Sequence, residues 1–256
     1  MSKNKLAKFA DLNSFDHVIQ LTYSELIANR FALKGIWNKE FFKNDHPIVL
    51  ELGCGKGEYT TGLAKLFPEK NFIGIDIKGS RMWSGAKEVK QYELINSGFI
   101  RTNIELLSHF FGPDEISEIW ITFPDPQMKK TKKRLTSTRF LSQYCEILKP
   151  GGVIHLKTDS DFLYKYTLAT IEENKFPVQV NTDDLYGSGM ADKILSIRTS
   201  YEQQWIDRGK KIKYLRYIPH DNFLTEPVVD IEFDDYRSFG RDNTNRDNAV
   251  TKSIKK

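Results

Sequence analysis

The sequence predicts an α/β fold with a mostly parallel, seven-stranded sheet and helices on both faces. Three observations predict it. Apolar runs of strand length alternate with segments of helical period along most of the chain. A glycine-rich loop, from Gly53 to Gly57, joins the first buried run to the first of those helices. An aspartate, Asp76, stands at the end of the second run, where the crevice of an open α/β sheet lies.

Residues 48–52 (IVLEL) read as the first strand, and a helix follows the glycine loop to about Phe67. Residues 71–77 form the second strand and residues 79–96 the second helix. A weaker third strand spans 98–102, followed by a short helix over 104–111. The fourth strand is 116–123. Residues 137–148 are helical and stop at Pro150-Gly151-Gly152, a strong turn signal. The fifth strand is 153–157, with a helix over 161–174. Beyond Pro177 two more strands are expected, at 178–180 and 213–218, separated by a Gly/Ser/Asp-rich connection. The domain organisation is an N-terminal helical and basic extension (1–45), the main domain (46–220) and a C-terminal extension (221–256). That last part is polar and basic without periodicity from Arg241 onward and reads as disordered.

At 256 residues, 39% hydrophobic and 28% charged, the chain is an ordinary globular protein. No apolar run approaches the ~18 residues of a membrane span. The two cysteines, Cys54 and Cys145, suggest no disulfide framework, and no Cys/His spacing suggests a metal. A cytoplasmic protein is expected. The net charge of +4 is too small to name a nucleic-acid partner, but its distribution is uneven.

The loop Gly53-Cys54-Gly55-Lys56-Gly57 has the spacing G-x-G-x-G, not the G-x-G-x-x-G of dinucleotide sites. Glu51 stands two residues before it. A carboxylate there suits a ligand with a cationic amino-acid tail, as in S-adenosylmethionine, better than one with a pyrophosphate. Asp76 can take both hydroxyls of a ribose. The plainer alternative is that Glu51 and Asp76 cap helices. Asn103, just past the third strand, either meets an adenine edge or caps the helix at Ile104.

The fourth strand runs into Phe123-Pro124-Asp125-Pro126, where two prolines limit where Asp125 can point. Directly after come Lys129, Lys130, Lys132, Lys133 and Arg134, a solvated face or a set of phosphate contacts. Asp159 closes the fifth strand and could cap the next helix. Thr199 and Glu202 have capping-box spacing.

ELGCGKG, IGID, FPDP with its basic stretch, GGVIHLKTD and Thr199-Ser200-Tyr201-Glu202 together resemble the bacterial tRNA (guanine-N7-)-methyltransferases over residues 47–218. The resemblance implies a Rossmann-like class I methyltransferase that uses S-adenosylmethionine to make 7-methylguanosine at the variable-loop guanine, tRNA position 46. It implies that Glu51, Asp76, Asn103 and Asp125 line the cofactor site, together with the loop glycines Gly53, Gly55 and Gly57. It also implies that Lys129, Asp159, Thr199, Ser200, Tyr201 and Glu202 bind the substrate. Asn103 stands where an aspartate is common and Gln127 where a tryptophan is frequent.

Guanine N7 carries an in-plane lone pair and no proton, so methyl transfer to it needs no general base. Asp125 is the expected catalytic residue, by orientation and charge. The competing readings are a methyltransferase of the same fold on another RNA and an inactive RNA-binding module. Monomer and homodimer are both compatible with the sequence.

Overall fold

The computed structural model describes residues 3–28, 31–220 and 223–235. Its strands are β1 (Val18–Gln20), β2 (Ile48–Leu52), β3 (Asn71–Asp76), β4 (Ser97–Arg101), β5 (Ile116–Thr122), β6 (Leu148–Thr158), β7 (Val178–Thr182) and β8 (Lys213–Tyr217). Its helices are α1 (Lys3–Asn13), α2 (Tyr23–Ala28), α3 (Glu58–Leu66), α4 (Gly79–Gln91), α5 (Leu107–Phe110), α6 (Thr138–Cys145), α7 (Asp161–Glu173) and α8 (Ser200–Ile206).

The strands form one sheet in the order β1-β4-β3-β2-β5-β6-β8-β7. Strands β1 to β6 pair in parallel, and β8 runs antiparallel to both β6 and β7. β2 is buried at every position, as a strand covered on both faces must be. Its alternate residues serve opposite cores. Ile48, Leu50 and Leu52 pack with residues of α6 and α7, whereas Val49 packs with Tyr59, Leu63 and Ala64 of α3. From β2 the chain builds β3 and β4 on one side, then crosses to place β5 and β6 on the other. That reversal leaves a crevice beyond the C-terminal ends of β2 and β5.

The sheet has eight strands, one more than the sequence predicts. The extra strand, β1, is only three residues long and half-buried, too short to show an alternating pattern. It adds to the edge through Val18↔Phe99 and the two pairs that follow. The second helix stops at Gln91, short of the expected Asn96, because Glu93 turns into the left-handed region (φ 50°). Asn96 instead donates its amide to the carbonyls of Ala64, Phe67 and Lys70 and so caps α3. Pro150-Gly151-Gly152 lies inside β6 rather than before it. The register jumps there from Ile116↔Leu148 to Glu118↔Val153, with Gly151 at φ 76°.

The N-terminal residues pack into the same body. Leu12 is buried with Met82, Ala86 and Phe99, and Trp37 is buried while donating its indole N–H to Phe110 O at 2.9 Å. The C-terminal segment 223–235 lies over the starts of α6 and α7. Glu226 accepts from Thr138 Oγ1 at 2.6 Å, and Asp234 accepts from Phe162 N at 2.9 Å. The expected disorder from Arg241 onward falls outside the described residues.

Candidate functional site

A cleft of about 880 Å³ opens at the crevice. Its walls are the glycine loop, the ends of β3 and β4, the 122–127 loop and the start of α8. A larger groove, about 1140 Å³, lies between the start of α6 and Phe223 and contains none of the predicted site residues.

The glycine loop turns through three left-handed residues, Gly53, Gly55 and Gly57, with φ of 74°, 57° and 74°. A Cβ on Gly53 would meet nothing within 4 Å, so the backbone there faces open space. Gly57 is different. Its Cβ would lie 2.7 Å from the Phe99 ring, so this glycine serves helix-to-sheet packing and does not line the cleft.

Glu51 sits at the base of the cleft, almost wholly buried. One carboxylate oxygen accepts from Thr60 N at 2.9 Å and from the Thr60 hydroxyl, the other from Thr122 Oγ1 at 2.7 Å. It does cap the first turn of α3, and it also presents a carboxyl to the cleft. Burial pushes its pKa up to about 7, although those hydrogen bonds favour the ionised form. Asp76 accepts from Gly55 N at 2.9 Å and from Lys78 N at 2.7 Å. Its carboxylate is thereby fixed between the glycine loop and the turn after β3, with lone pairs left for a diol. Asn103 occupies the cap position before a short 3-10 turn (Ile104–Leu106), but its side chain makes no capping bond and is exposed in the cleft.

Asp125 is exposed at the rim and accepts from Gln127 N at 3.0 Å. The loop that carries it bends through two non-glycine left-handed residues, Phe123 (φ 50°) and Gln127 (φ 47°). Such residues cost about 1–3 kcal/mol each and cluster at functional sites. The Phe123 ring packs against Tyr201 of α8.

Thr199 caps α8, accepting from Glu202 N at 3.0 Å, and Thr199, Ser200 and Tyr201 all line the cleft. Ser200 ties α8 to the glycine loop. Its N–H donates to Glu58 Oε2 at 3.1 Å, its hydroxyl donates to Glu58 Oε1, and Lys56 Nζ donates to that hydroxyl. Glu202 is not on the cleft surface. Its carboxylate is fully buried in an ion pair with Lys157, so the capping box is only half made.

Asp159 is also buried and away from the cleft lining. Ser160, not Asp159, caps α7. Lys213 Nζ donates to the Asp159 carbonyl at 3.0 Å, and Oδ1 of Asp159 has no protein partner. Burial pushes its carboxyl up to about 6; Asp234 adds to this and Lys213 opposes it.

The basic run divides into two kinds of residue. Lys129, Lys130 and Lys132 are exposed, and Lys133 pairs with Glu105 at 2.7 Å. Arg134 is buried, with its guanidinium over the rings of Phe162 and Tyr166, and it donates to Gln127 O and Met128 O. Arg134 therefore shapes the Asp125 loop from within.

Sequence reasoning missed Lys56, Lys78, Arg81 and Gln204, all in the cleft wall. Lys56 and Lys78 stand in the loops after β2 and β3, where the strand-end rule places ligand contacts, and Arg81 stands in the first turn of α4. Gln204 follows Ser200 by one helical turn. As a set, the cleft offers a buried carboxyl, open backbone, a fixed carboxylate and a free amide in sequence around its wall. These fit an adenosyl ligand with a cationic amino-acid tail.

A family model described as "Putative methyltransferase" matches residues 45–215. A tRNA (guanine-N(7)-)-methyltransferase of Bacteroides thetaiotaomicron is 58% identical over 242 residues, 94% of this chain and 96% of that protein. A protein of the same name from Porphyromonas gingivalis is 58% identical, covering 90% and 96%. Among solved structures, the 16S rRNA methyltransferase KamB superposes with a TM-score of 0.55 at 13% identity, over 71% of this chain and 92% of that one. An antibiotic-related methyltransferase gives 0.52 at 17% identity, over 71% and 92%. At such identities the two structures speak for the fold alone.

Proposed function

The chain belongs to the tRNA (guanine-N(7)-)-methyltransferase family, and we propose that its target is the variable-loop guanine at position 46. It is an enzyme that transfers the methyl group of S-adenosylmethionine to N7 of a guanine in tRNA. The observation that carries the site reading is the convergence of Glu51, Gly53, Gly55, Asp76, Asn103 and Asp125 on one cleft at the sheet reversal.

S-adenosylmethionine, when bound, supplies an electrophilic methyl on a sulfonium. Glu51 faces its ammonium, the open backbone at Gly53 and Gly55 lets the chain approach closely, Asp76 takes the ribose diol and Asn103 meets the adenine edge. Gly57 shapes the same loop from beneath. Guanine N7 brings its own lone pair, so no residue has to remove a proton before transfer. The protein's work is alignment and charge: the purine becomes cationic as the methyl arrives, and a fixed carboxylate favours that change. Asp125 fills this role from its proline-stiffened loop. Phe123 and Tyr201 form an aromatic corner that seats the base, with Thr199 and Ser200 beside it. Asp159 keeps one buried oxygen without a protein partner and lies off the cleft lining, so any part it takes in substrate binding is indirect. Lys129 and its exposed neighbours meet phosphates.

Because N7 engages in tertiary pairing in folded tRNA, the target base has to leave its stack to enter the cleft. A cytoplasmic enzyme is the setting this substrate implies. No helix among the described residues is long and apolar enough to cross a membrane. The test is methyl transfer from labelled S-adenosylmethionine to a tRNA transcript and to its twin with adenine at position 46. Label in 7-methylguanosine from the first alone supports the site; equal label in both transfers the target elsewhere in the tRNA.

A further inference from the structure

Thr199, Ser200 and Tyr201 line the cleft, yet Glu202 beside them is fully buried. Its Oε1 accepts from the Tyr186 hydroxyl at 2.7 Å and lies 2.9 Å from Lys157 Nζ, while Oε2 accepts from the same ammonium at 3.0 Å. Lys157, on β6, is just as deeply buried. Its ammonium donates further to Leu195 O at 2.7 Å and Ile197 O at 3.2 Å. An ammonium has three N–H groups, and these three partners use them all.

Two charges taken out of water are a poor source of stability, because well-packed apolar side chains in their place often do as well or better. This pair achieves something apolar packing does not. It joins three segments at one point: β6, the carbonyls two and four residues before Thr199, and the first turn of α8. Burial pulls the Lys157 pKa down and the Glu202 charge opposes that, so the ammonium depends on its carboxylate. The cleft wall formed by α8 therefore stands on a buried ionic joint, with the Ser200–Glu58 tether as its second fastening.

We infer that Lys157 is a positioning residue of this enzyme and that Glu202 acts through it. Together they hold Tyr201 against Phe123 at the geometry that seats the target base, and neither side chain touches RNA. The inference rests on the reading of the α8 face as the RNA wall of the cleft.

The test compares Lys157→Met, Glu202→Gln and the double variant. Each is assayed for thermal midpoint, S-adenosylmethionine Kd, and KM and kcat with tRNA. The expected result is a tRNA KM raised about 5- to 50-fold in each single variant, with the double no worse than the poorer single. Cofactor Kd should stay within about 2-fold, since Glu51, the glycine loop, Asp76, Asn103 and Asp125 stand on β2 to β5 and the loops after them, not on α8. Lys157→Arg keeps the charge but not the ammonium's geometry, and serves if the methionine variant does not fold. A Lys157→Met or Lys157→Arg enzyme with wild-type KM, beside a Glu202→Gln enzyme that is impaired, would show that Glu202 touches RNA directly and overturn the inference. Lowered thermal midpoints with unchanged KM in every variant would also overturn it, by reducing the pair to a folding role. Tyr201→Ala is the control for the underlying reading. A wild-type KM there removes the RNA wall, whatever Lys157 does.

Discussion

The ring of Tyr201 lies 5.7 Å from that of Phe123, centroid to centroid, with the planes inclined at 52°. The two residues are far apart in sequence, one after β5 and one in α8, and both line the cleft. Stacking a base on an aromatic ring is worth about 1–3 kcal/mol, or roughly 5- to 150-fold in affinity. Tyr201→Ala is expected to raise KM for tRNA within that range, while Tyr201→Phe stays near wild type. Steady-state kinetics with a tRNA transcript decide it, and an unchanged KM in the alanine variant removes Tyr201 from the base site.

Asp125 is exposed, and its carboxylate bonds to the backbone of its own loop. Asp125→Ala should therefore leave thermal stability within about 0.5 kcal/mol of wild type. Turnover should fall by about 10²- to 10³-fold, the loss typical of removing one preorganised electrostatic group. Single-turnover rates at saturating tRNA separate this effect from binding. A variant that turns over at near-normal rate would take Asp125 off the catalytic list.

Glu51 gives a pH signature. Its carboxyl is pushed up to about 7 by burial, and only its ionised form attracts an ammonium. Below the ligand's own amine pKa of about 7.7–8.0, affinity for S-adenosylmethionine should rise as pH climbs from about 5.5 to 7. The same shift makes the cofactor-free protein lose stability over the interval from the ordinary carboxyl pKa up to about 7, because the folded state holds the proton more tightly than the unfolded one. Calorimetric titrations across the range should show proton release on binding in wild type and neither trend in Glu51→Gln. A pH-independent Kd in the wild-type protein sinks the assignment.

The basic run should separate into binding and structural cations. Lys129, Lys130 and Lys132 are exposed, so replacing all three by Ala should weaken tRNA binding at low salt. The slope of log affinity against log salt should flatten by about 0.7–0.9 for each phosphate no longer neutralised. Arg134 is enclosed by Phe162 and Tyr166. Arg134→Met should instead lower stability by about 1.5–3 kcal/mol, because its charged hydrogen bonds disappear, and leave the salt slope in place. Filter binding at several salt concentrations and denaturant unfolding read the two effects apart. A salt slope unaltered by the triple variant would reassign those lysines to bare solvation.

The sequence by itself determined the element order, the glycine loop, the acid at the end of β3 and the rigid Asp125 loop. These are local signals: runs of apolar residues, glycines where the backbone must turn left-handed, prolines that fix their neighbours. It also carried the family, because five short motifs keep their order along the chain. β1 escaped because three half-buried residues gain their strand character only from pairing with β4. Only the tertiary structure decided which of the motif residues line the cleft. Thr199, Ser200, Tyr201 and Glu202 are consecutive, yet three line the cleft and the fourth is sealed against Lys157. Gly57 belongs to Phe99, Arg134 belongs to two aromatic rings, and Phe123 meets Tyr201 across the fold. The physical reason is the same in each case. Residue type sets what a side chain can do, but burial and partners depend on segments that are distant in sequence and meet only when the sheet is assembled.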